Sequence, residues 1–345
     1  MPFSPRIATI GAMIILDTSE ESLRKAGAAL ASGLLVALPT ETVYGLGADA
    51  FNPLAVAKVF EAKARPSFDP LIVHIARMED LSRVAASVPP LAERLALALW
   101  PGPLTIILPK RPEVPDIVTS GLDTVAVRFP SHPVARRIIE LSGTAVAAPS
   151  ANPFGYISPT KAEHVARTLG GKIDFLVDGG PCAVGVESTV IDATKEIPEL
   201  LRPGGMPLER IREIVGEIAV PPRFHGSESG PMASPGQLSS HYAPRSALRL
   251  FEFSSLCDAG IFPPQGRGAA LVFDGERAAK LELSGRFDAV FALSEKGEMT
   301  EAAAALFALL HNLDFLEFDW IYAEKVPDEG LGRAINDRLF RASRK

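Results

Sequence analysis

Residues 34–64 read LLVALPTETVYGLGADAFNPLAVAKVFEAKA. Leu34 to Leu38 is an apolar run of strand length, and Pro53 to Ala64 reads as a helix with proline in its first turn, where the missing N–H costs nothing. Between them stand hydroxyls, a carboxylate and two glycines. Polar groups at the C-terminal end of a strand lie where α/β sheets place ligands, although a polar turn with glycines at positive φ accounts for the same residues.

The alternation continues outward. Leu71 to Ile75, Thr105 to Leu108, Val125 to Phe129, Ala145 to Ala148, Phe175 to Val177 and Ser188 to Ile191 read as further strands. Leu23 to Ala31, Pro89 to Trp100, His132 to Leu141, Pro159 to Leu169 and Pro207 to Val215 read as helices. Ile7 to Leu16 imitates a signal-peptide core but runs into Asp17-Thr18-Ser19-Glu20, a helix start, so it reads as a first strand. Strands interleaved with helices predict an α/β domain over residues 1–215.

Residues 221–244 hold 13 Pro, Gly or Ser and keep no regular period, so 216–246 is expected to be a linker. His241-Tyr242-Ala243-Pro244 is stiff for a tether, and a functional lid is the competing reading. Leu248 to Phe253, Ala269 to Phe273, Ala289 to Leu293 and Trp320 to Ala323 then read as strands, Glu301 to Phe315 as an amphipathic helix, and a basic helix closes the chain. Residues 247–345 are expected to form a second, smaller α/β domain.

Composition narrows the function. With 35 basic and 41 acidic residues the net charge is −6, so bulk attraction to nucleic acid is excluded and any tRNA contact must be weak and local. Two cysteines, Cys182 and Cys257, exclude a disulfide scaffold and a cysteine-rich zinc site. No apolar run reaches the ~18 residues needed to cross a bilayer, so a cytoplasmic protein without membrane contact is expected. Neither a G-x-x-x-x-G-K-[ST] loop nor G-x-G-x-x-G is present, and phosphates would have to be held by dispersed side chains.

Those side chains sit at strand ends. Lys63 and Arg65 close a helix before Pro66; they either satisfy the helix dipole or hold a polyphosphate. His74 lies in Leu71 to Ile75 on the face opposite Leu71, Val73 and Ile75, as a core histidine or as a ligand. Arg128 inside a core strand must have a partner, because burying an unpaired guanidinium is prohibitive; the partner is an internal carboxylate or a substrate carboxylate. Ala147 to Asn152 brings small and hydroxyl residues to a strand end, and Ser158 before Pro159 is a helix N-cap or an anion donor.

Eight motifs occur in order: PTETVYGLGADA (39–50), KARPSFDPLIVHI (63–75), PGPLTIIL (101–108), VAVRFPSHPVA (125–135), APSANPFGYISPT (148–160), GVESTVID (185–192), LRPG (201–204) and SPGQLSSHYAP (234–244). The first seven resemble the YrdC-like domain. With the linker and the tail the chain resembles the long form of the threonylcarbamoyl-AMP synthases. The resemblance implies a YrdC-like twisted mixed sheet with flanking helices, plus a C-terminal Rossmann-like α/β domain. It further implies nucleotidyl transfer: L-threonine, bicarbonate and ATP yield threonylcarbamoyl-adenylate and pyrophosphate. A downstream threonylcarbamoyl-transferase system then modifies a tRNA adenosine beside the anticodon.

Carried over by position, the resemblance assigns L-threonine to Thr42, His74, Arg128, Ala148 and Ser188. It assigns ATP to Lys63, Arg65, Asp69, Thr124, Ser150, Ser158, Arg202 and Tyr242. Lys63 and Arg65 would stabilise charge as pyrophosphate departs. Mg2+ would arrive with ATP, held mainly by phosphate oxygens and water rather than by the protein. The chain departs from the family pattern at Asp69, usually Asn, and at Gln237-Leu238-Ser239-Ser240, where relatives carry methionine and basic residues. The alternative from another class is a double-stranded RNA-binding or ribosome-maturation module. A carbamoyl-transfer maturation enzyme would need cysteine-rich zinc motifs that two cysteines cannot supply.

Overall fold

The computed structural model describes residues 8–10, 13–221, 232, 241–253 and 265–344. Ser234 to Ser240 of the linker motif and Cys257 lie outside the described residues. The chain forms two units. The first draws on residues up to Phe154, Ser158–Ala183 and the chain from Glu187 into the linker; the second takes Gly155–Ile157, Val184–Val186 and the chain from His241 on.

The first unit is built on β1 (Ala8–Ile10), β2 (Met13–Leu16), β3 (Val36–Leu38), β4 (Gly45–Asp49), β5 (Ile72–His74), β6 (Leu104–Pro109), β7 (Thr124–Arg128), β8 (Val146–Ala147), β9 (Phe175–Val177), β10 (Thr189–Asp192) and β11 (Glu199–Arg202). They form one mixed sheet in the order β1-β2-β9-β3-β4-β8-β5-β7-β6-β10-β11. Helices flank it, and their starts follow from the sequence. Asn52 caps helix Pro53–Lys63 by accepting from the Leu54 and Ala55 amides, with Pro53 in the first turn.

Alternation along the strands sorts side chains onto two faces. Leu71, Val73 and Ile75 enter the main core cluster, as period-2 reading predicts. Ile72 instead joins Ile107, Ala126, Val190 and Leu201 in a separate apolar cluster.

Three local expectations are corrected. Ile7 to Leu16 is not one strand: β1 and β2 pair antiparallel, with Ala8 opposite Ile15 and Ile10 opposite Met13. The stretch around Gly45 and Gly47 is strand β4 rather than a positive-φ turn. Its glycines are needed for space, since a Cβ on Gly47 would lie 2.8 Å from Leu38 and 2.9 Å from Val146. Ser158 is not an N-cap, because that helix begins at Ala162 behind Lys161. Residues 158–160 are tied elsewhere: Tyr44 N donates to Pro159 O, and Cys182 N to Thr160 O.

In the second unit, β12 (Ala247–Phe251), β13 (Gly268–Asp274), β14 (Ala289–Ser294) and β15 (Trp320–Glu324) form an all-parallel sheet in the order β12-β15-β13-β14. Helices Gly275–Ser284, Met299–Phe315 and Gly332–Ala342 accompany it. A parallel sheet with crossover helices is the Rossmann-like arrangement expected for this part of the chain. Among the described residues no helix is long and apolar enough to cross a membrane.

Candidate active site

Four adjacent strands of the first unit align a row of side chains. Thr105 of β6 is opposite Arg128 of β7, Arg128 is beside His74 of β5, and His74 is opposite Val146 of β8. Register partners point to the same face, so Arg128 and His74 stand side by side. The next row on that face is Ile107, Ala126 and Ile72, with Ala148 donating its N–H to Ile72 O. A polar row thus sits beside an apolar one, with small Ala148 at its end.

Arg128 is buried. Its Nη2 donates to Glu41 Oε1 at 2.7 Å, Nη1 to Thr42 Oγ1 at 2.9 Å and Nε to Gly102 O at 3.4 Å. The partner that a buried guanidinium requires is therefore internal, yet the side chain is not exhausted. A guanidinium has five N–H groups, and three are used. One N–H remains on each terminal nitrogen, the number a bidentate carboxylate needs. Thr42 is held in turn: it lies 2.9 Å from Thr40 Oγ1, which donates to Val43 O.

Burial alone would raise the Glu41 carboxyl, but the Arg128 charge and hydrogen bond outweigh it and hold it below the usual carboxylate range. His74 is pushed down to about 3 by burial and by the Arg128 charge, so its imidazole is neutral at physiological pH. Cys182, also buried near this pair, is pushed up to about 12 and is an inert thiol.

A second polar group gathers at the opposite end of β5. Helix Pro53–Lys63 ends with Ala64 in the left-handed region (φ 51°), a conformation costing about 1–2 kcal/mol for a non-glycine residue. That turn directs Lys63 Nζ to Ser150 O at 2.6 Å and Asn152 O at 2.5 Å. Arg65 donates from Nε to Asp69 O and from Nη2 to Pro70 O, and lies 2.9 Å from Asp69 Oδ1. This last contact is an ion pair without hydrogen-bond geometry, and neither Asp69 carboxylate oxygen accepts a hydrogen bond. Lys63 is driven well below the ordinary lysine range by burial and then by the Arg65 charge. Burial pushes Asp69 up, against the opposing pull of Arg65, Lys63 and Arg202. Continuing the register backward from Ile72 opposite Ala126 sets Thr124 level with Pro70. Continuing from Val73 opposite Ala147 sets Ser150 there as well.

Arg202 links the two groups. Its Nε and Nη2 donate to Ser188 O at 3.1 and 3.0 Å, and its charge reaches Asp69. Ser188 Oγ lies 2.8 Å from Thr105 Oγ1, the residue opposite Arg128. Ser158 Oγ donates to Glu187 Oε1 at 2.5 Å. Lys63, Arg65, Asp69, Thr124 and Ser150 thus lie at one end and Thr42, His74, Arg128 and Ser188 at the other, with Arg202 bonded to Ser188 and its charge felt at Asp69. Ala148 stands between the two ends.

Tyr242 belongs to the second unit. It is buried at φ 64°, with ring centroids 5.6 Å from Phe307 and 4.1 Å from His241, and the Arg338 guanidinium 5.4 Å from its ring. Its assignment to the nucleotide rests on the linker motif. Two carboxylates, Glu41 and Glu187, stand in polar stretches that the sequence marks, but it assigns neither of them a role. The rule that a buried arginine must have a partner pointed to the existence of the first without locating it.

Comparison with known proteins bears on this arrangement. Residues 28–204 match the family model described as telomere recombination, and residues 206–344 match that of the threonylcarbamoyl-AMP synthase C-terminal domain. The threonylcarbamoyl-AMP synthase of Pyrococcus abyssi is 46% identical over 94% of both chains. The chain belongs to the threonylcarbamoyl-AMP synthase family. The Bacillus subtilis synthase is 42% identical over 95% of this chain and 94% of its own. The crystal structure of P. abyssi Sua5 complexed with L-threonine superposes with a TM-score of 0.82 at 42% identity, covering 97% of this chain and 98% of that one. Escherichia coli YciO, at 23% identity and a TM-score of 0.52 over 56% of this chain, shares the fold of the first unit's part of the family.

Proposed function

We propose that this protein converts L-threonine, bicarbonate and ATP into L-threonylcarbamoyl-adenylate, pyrophosphate and water. The product is a substrate for a downstream transfer of the threonylcarbamoyl group to a tRNA adenosine next to the anticodon. The observation that carries the reading is the pairing of a carboxylate fork with a cation cluster in one unit. Arg128 keeps two N–H groups unused, while Arg65 and Lys63 bond to the carbonyls of Pro70 and Ser150, whose backbone stands four residues before the His74–Arg128 row, roughly 13 Å at about 3.3 Å per residue. The first suits the carboxylate of an amino acid and the second a triphosphate. That a relative was crystallised with L-threonine supports the choice of amino acid.

In this reading the threonine amine attacks carbon dioxide released from bicarbonate, giving a carbamate. The carbamate oxygen attacks the α-phosphorus of ATP, and the bond to the pyrophosphate oxygen breaks. The protein forms no covalent intermediate. It holds three reactants in line and offsets charge developing on the departing pyrophosphate through Lys63 and Arg65. Magnesium enters with the nucleotide as Mg–ATP, coordinated mainly by phosphate oxygens and water.

The test is mass spectrometry of the products formed from protein, ATP, L-threonine and 13C-bicarbonate. The expected product is an adenylate carrying one 13C, formed in step with pyrophosphate. Absence of a threonine- and bicarbonate-dependent adenylate overturns the reading. Salt-sensitive RNA binding with no ATP turnover would favour the RNA-binding module instead.

A further inference from the structure

A zwitterionic amino acid brings an ammonium as well as a carboxylate, and the assigned threonine residues contain no anion to meet it. Glu41 fills that gap. Its carboxylate is more than nine-tenths buried and is held by Arg128 through Oε1 alone. Oε2 is buried and accepts no hydrogen bond of good geometry; the backbone amides of Glu41 and Ser131 make only weak hydrogen-bonding contributions to the carboxylate, which help to lower its pKa. A buried carboxylate oxygen without a donor is costly in an isolated protein, so its retention calls for a donor that arrives from outside.

We infer that Glu41 is a substrate-recognition residue that binds the α-ammonium of the amino acid through Oε2, while the two spare N–H groups of Arg128 bind its carboxylate. The Arg128–Glu41 pair then presents a positive and a negative group side by side, 2.7 Å apart. An amino-acid zwitterion carries the same two charges in reverse, separated by one carbon. Laid head to head the two dipoles neutralise each other, and each buried group acquires the partner it lacks. The pair selects α-amino acids over α-hydroxy acids, which offer the carboxylate alone. The inference rests on the threonine-binding reading above.

Calorimetric titration tests it with L-threonine and with (2S,3R)-2,3-dihydroxybutanoate, the same molecule with hydroxyl in place of ammonium. The wild-type protein is expected to bind threonine at least ~30-fold more tightly than the hydroxy acid, the discrimination expected from one buried charge pair. Glu41→Gln keeps an oxygen for Arg128 but presents no charge to the ammonium, and should bring the two affinities within about threefold of each other. Because this readout is a ratio, a reduced folded fraction does not alter it. Glu41→Asp, which keeps the charge, should retain part of the preference. Equal weakening of both ligands in Glu41→Gln would show that Glu41 only positions Arg128 and would overturn the inference. So would a wild-type preference below threefold, which needs no variant. Failure of the wild type to bind threonine at all removes the proposed function itself, a result distinct from threonine binding without discrimination.

Discussion

Arg128→Lys preserves a cation in the buried pair while reducing the donor count from five to three. Those three are already committed in the wild type, to Glu41, Thr42 and Gly102. A lysine that met the same partners would have no N–H left for a substrate carboxylate. Each lost charge-assisted hydrogen bond contributes about 1.5–3 kcal/mol, so two amount to roughly 3–6 kcal/mol. At about 1.4 kcal/mol per factor of ten, kcat/KM for threonine should fall by roughly two to four powers of ten. The charge opposite Glu41 survives, so folding should suffer far less than in Arg128→Met, where an unpaired buried carboxylate costs about 3–5 kcal/mol. Threonine-dependent pyrophosphate release measures the first quantity and thermal unfolding the second. Threonine amide supplies an internal control: it should be as poor a substrate for the wild type as threonine is for the lysine variant. Retention of kcat/KM within threefold in Arg128→Lys would refute the donor count and the carboxylate fork with it.

Three further outcomes follow from the same geometry. His74 binds a proton near pH 6.5 when unfolded but only near 3 when buried, so the neutral form's stability is intact above pH 6.5 and is lost as pH falls toward 3. Between pH 7 and 5 this amounts to about 2 kcal/mol, and His74→Gln should lose correspondingly less stability over that interval in urea unfolding; an unchanged pH slope counts against the burial of a neutral imidazole. Asp69→Asn removes a buried carboxylate that pairs with Arg65 at 2.9 Å while Asp69 O and Pro70 O still hold the guanidinium, so KM for ATP should fall several-fold in steady-state kinetics, and a rise would contradict that account. Gly204→Ala would push a Cβ to 2.3 Å from Glu187 O and 2.4 Å from Thr189 N, backbone atoms that cannot rotate away. It should destabilise by about 2 kcal/mol or more and reduce turnover at least tenfold; a variant with wild-type melting and activity would show that the segment carrying Ser188 yields freely.

The parts of this protein that were legible in its sequence are those governed by short-range periodicity. Leu71, Val73 and Ile75 announced one buried face and Ile72 and His74 the other, because side chains alternate whatever the neighbouring strand turns out to be. Strand β4 was hidden for the opposite reason: Gly45 and Gly47 read as turn residues, and the approach of Leu38 and Val146 from other strands explains why a side chain is missing at Gly47. The hairpin of β1 and β2 was hidden within one apolar run, since composition does not record a reversal of direction. The site divides in the same way. Its cations were visible because proline and strand edges mark where they must emerge, whereas the pairing of Glu41 with Arg128 and of Glu187 with Ser158 was not.

Glu41 and Arg128 lie 87 residues apart, and no local pattern in either segment selects the other. What the sequence did contain was a constraint, that a guanidinium in a core strand cannot be alone. An internal salt bridge and a substrate fork are not exclusive roles for Arg128. A planar group with five donors can satisfy a permanent carboxylate and still keep a donor on each terminal nitrogen for a transient one. The permanent partner also makes the transient one selective. Without Glu41 the buried guanidinium would attract any anion, including the phosphates proposed to bind beside Lys63 and Arg65. With Glu41 beside it, the net charge at that position is close to zero, and only a ligand carrying both signs gains from approaching it. On this argument the internal salt bridge is part of the recognition device, and it keeps the triphosphate and the amino acid from exchanging places.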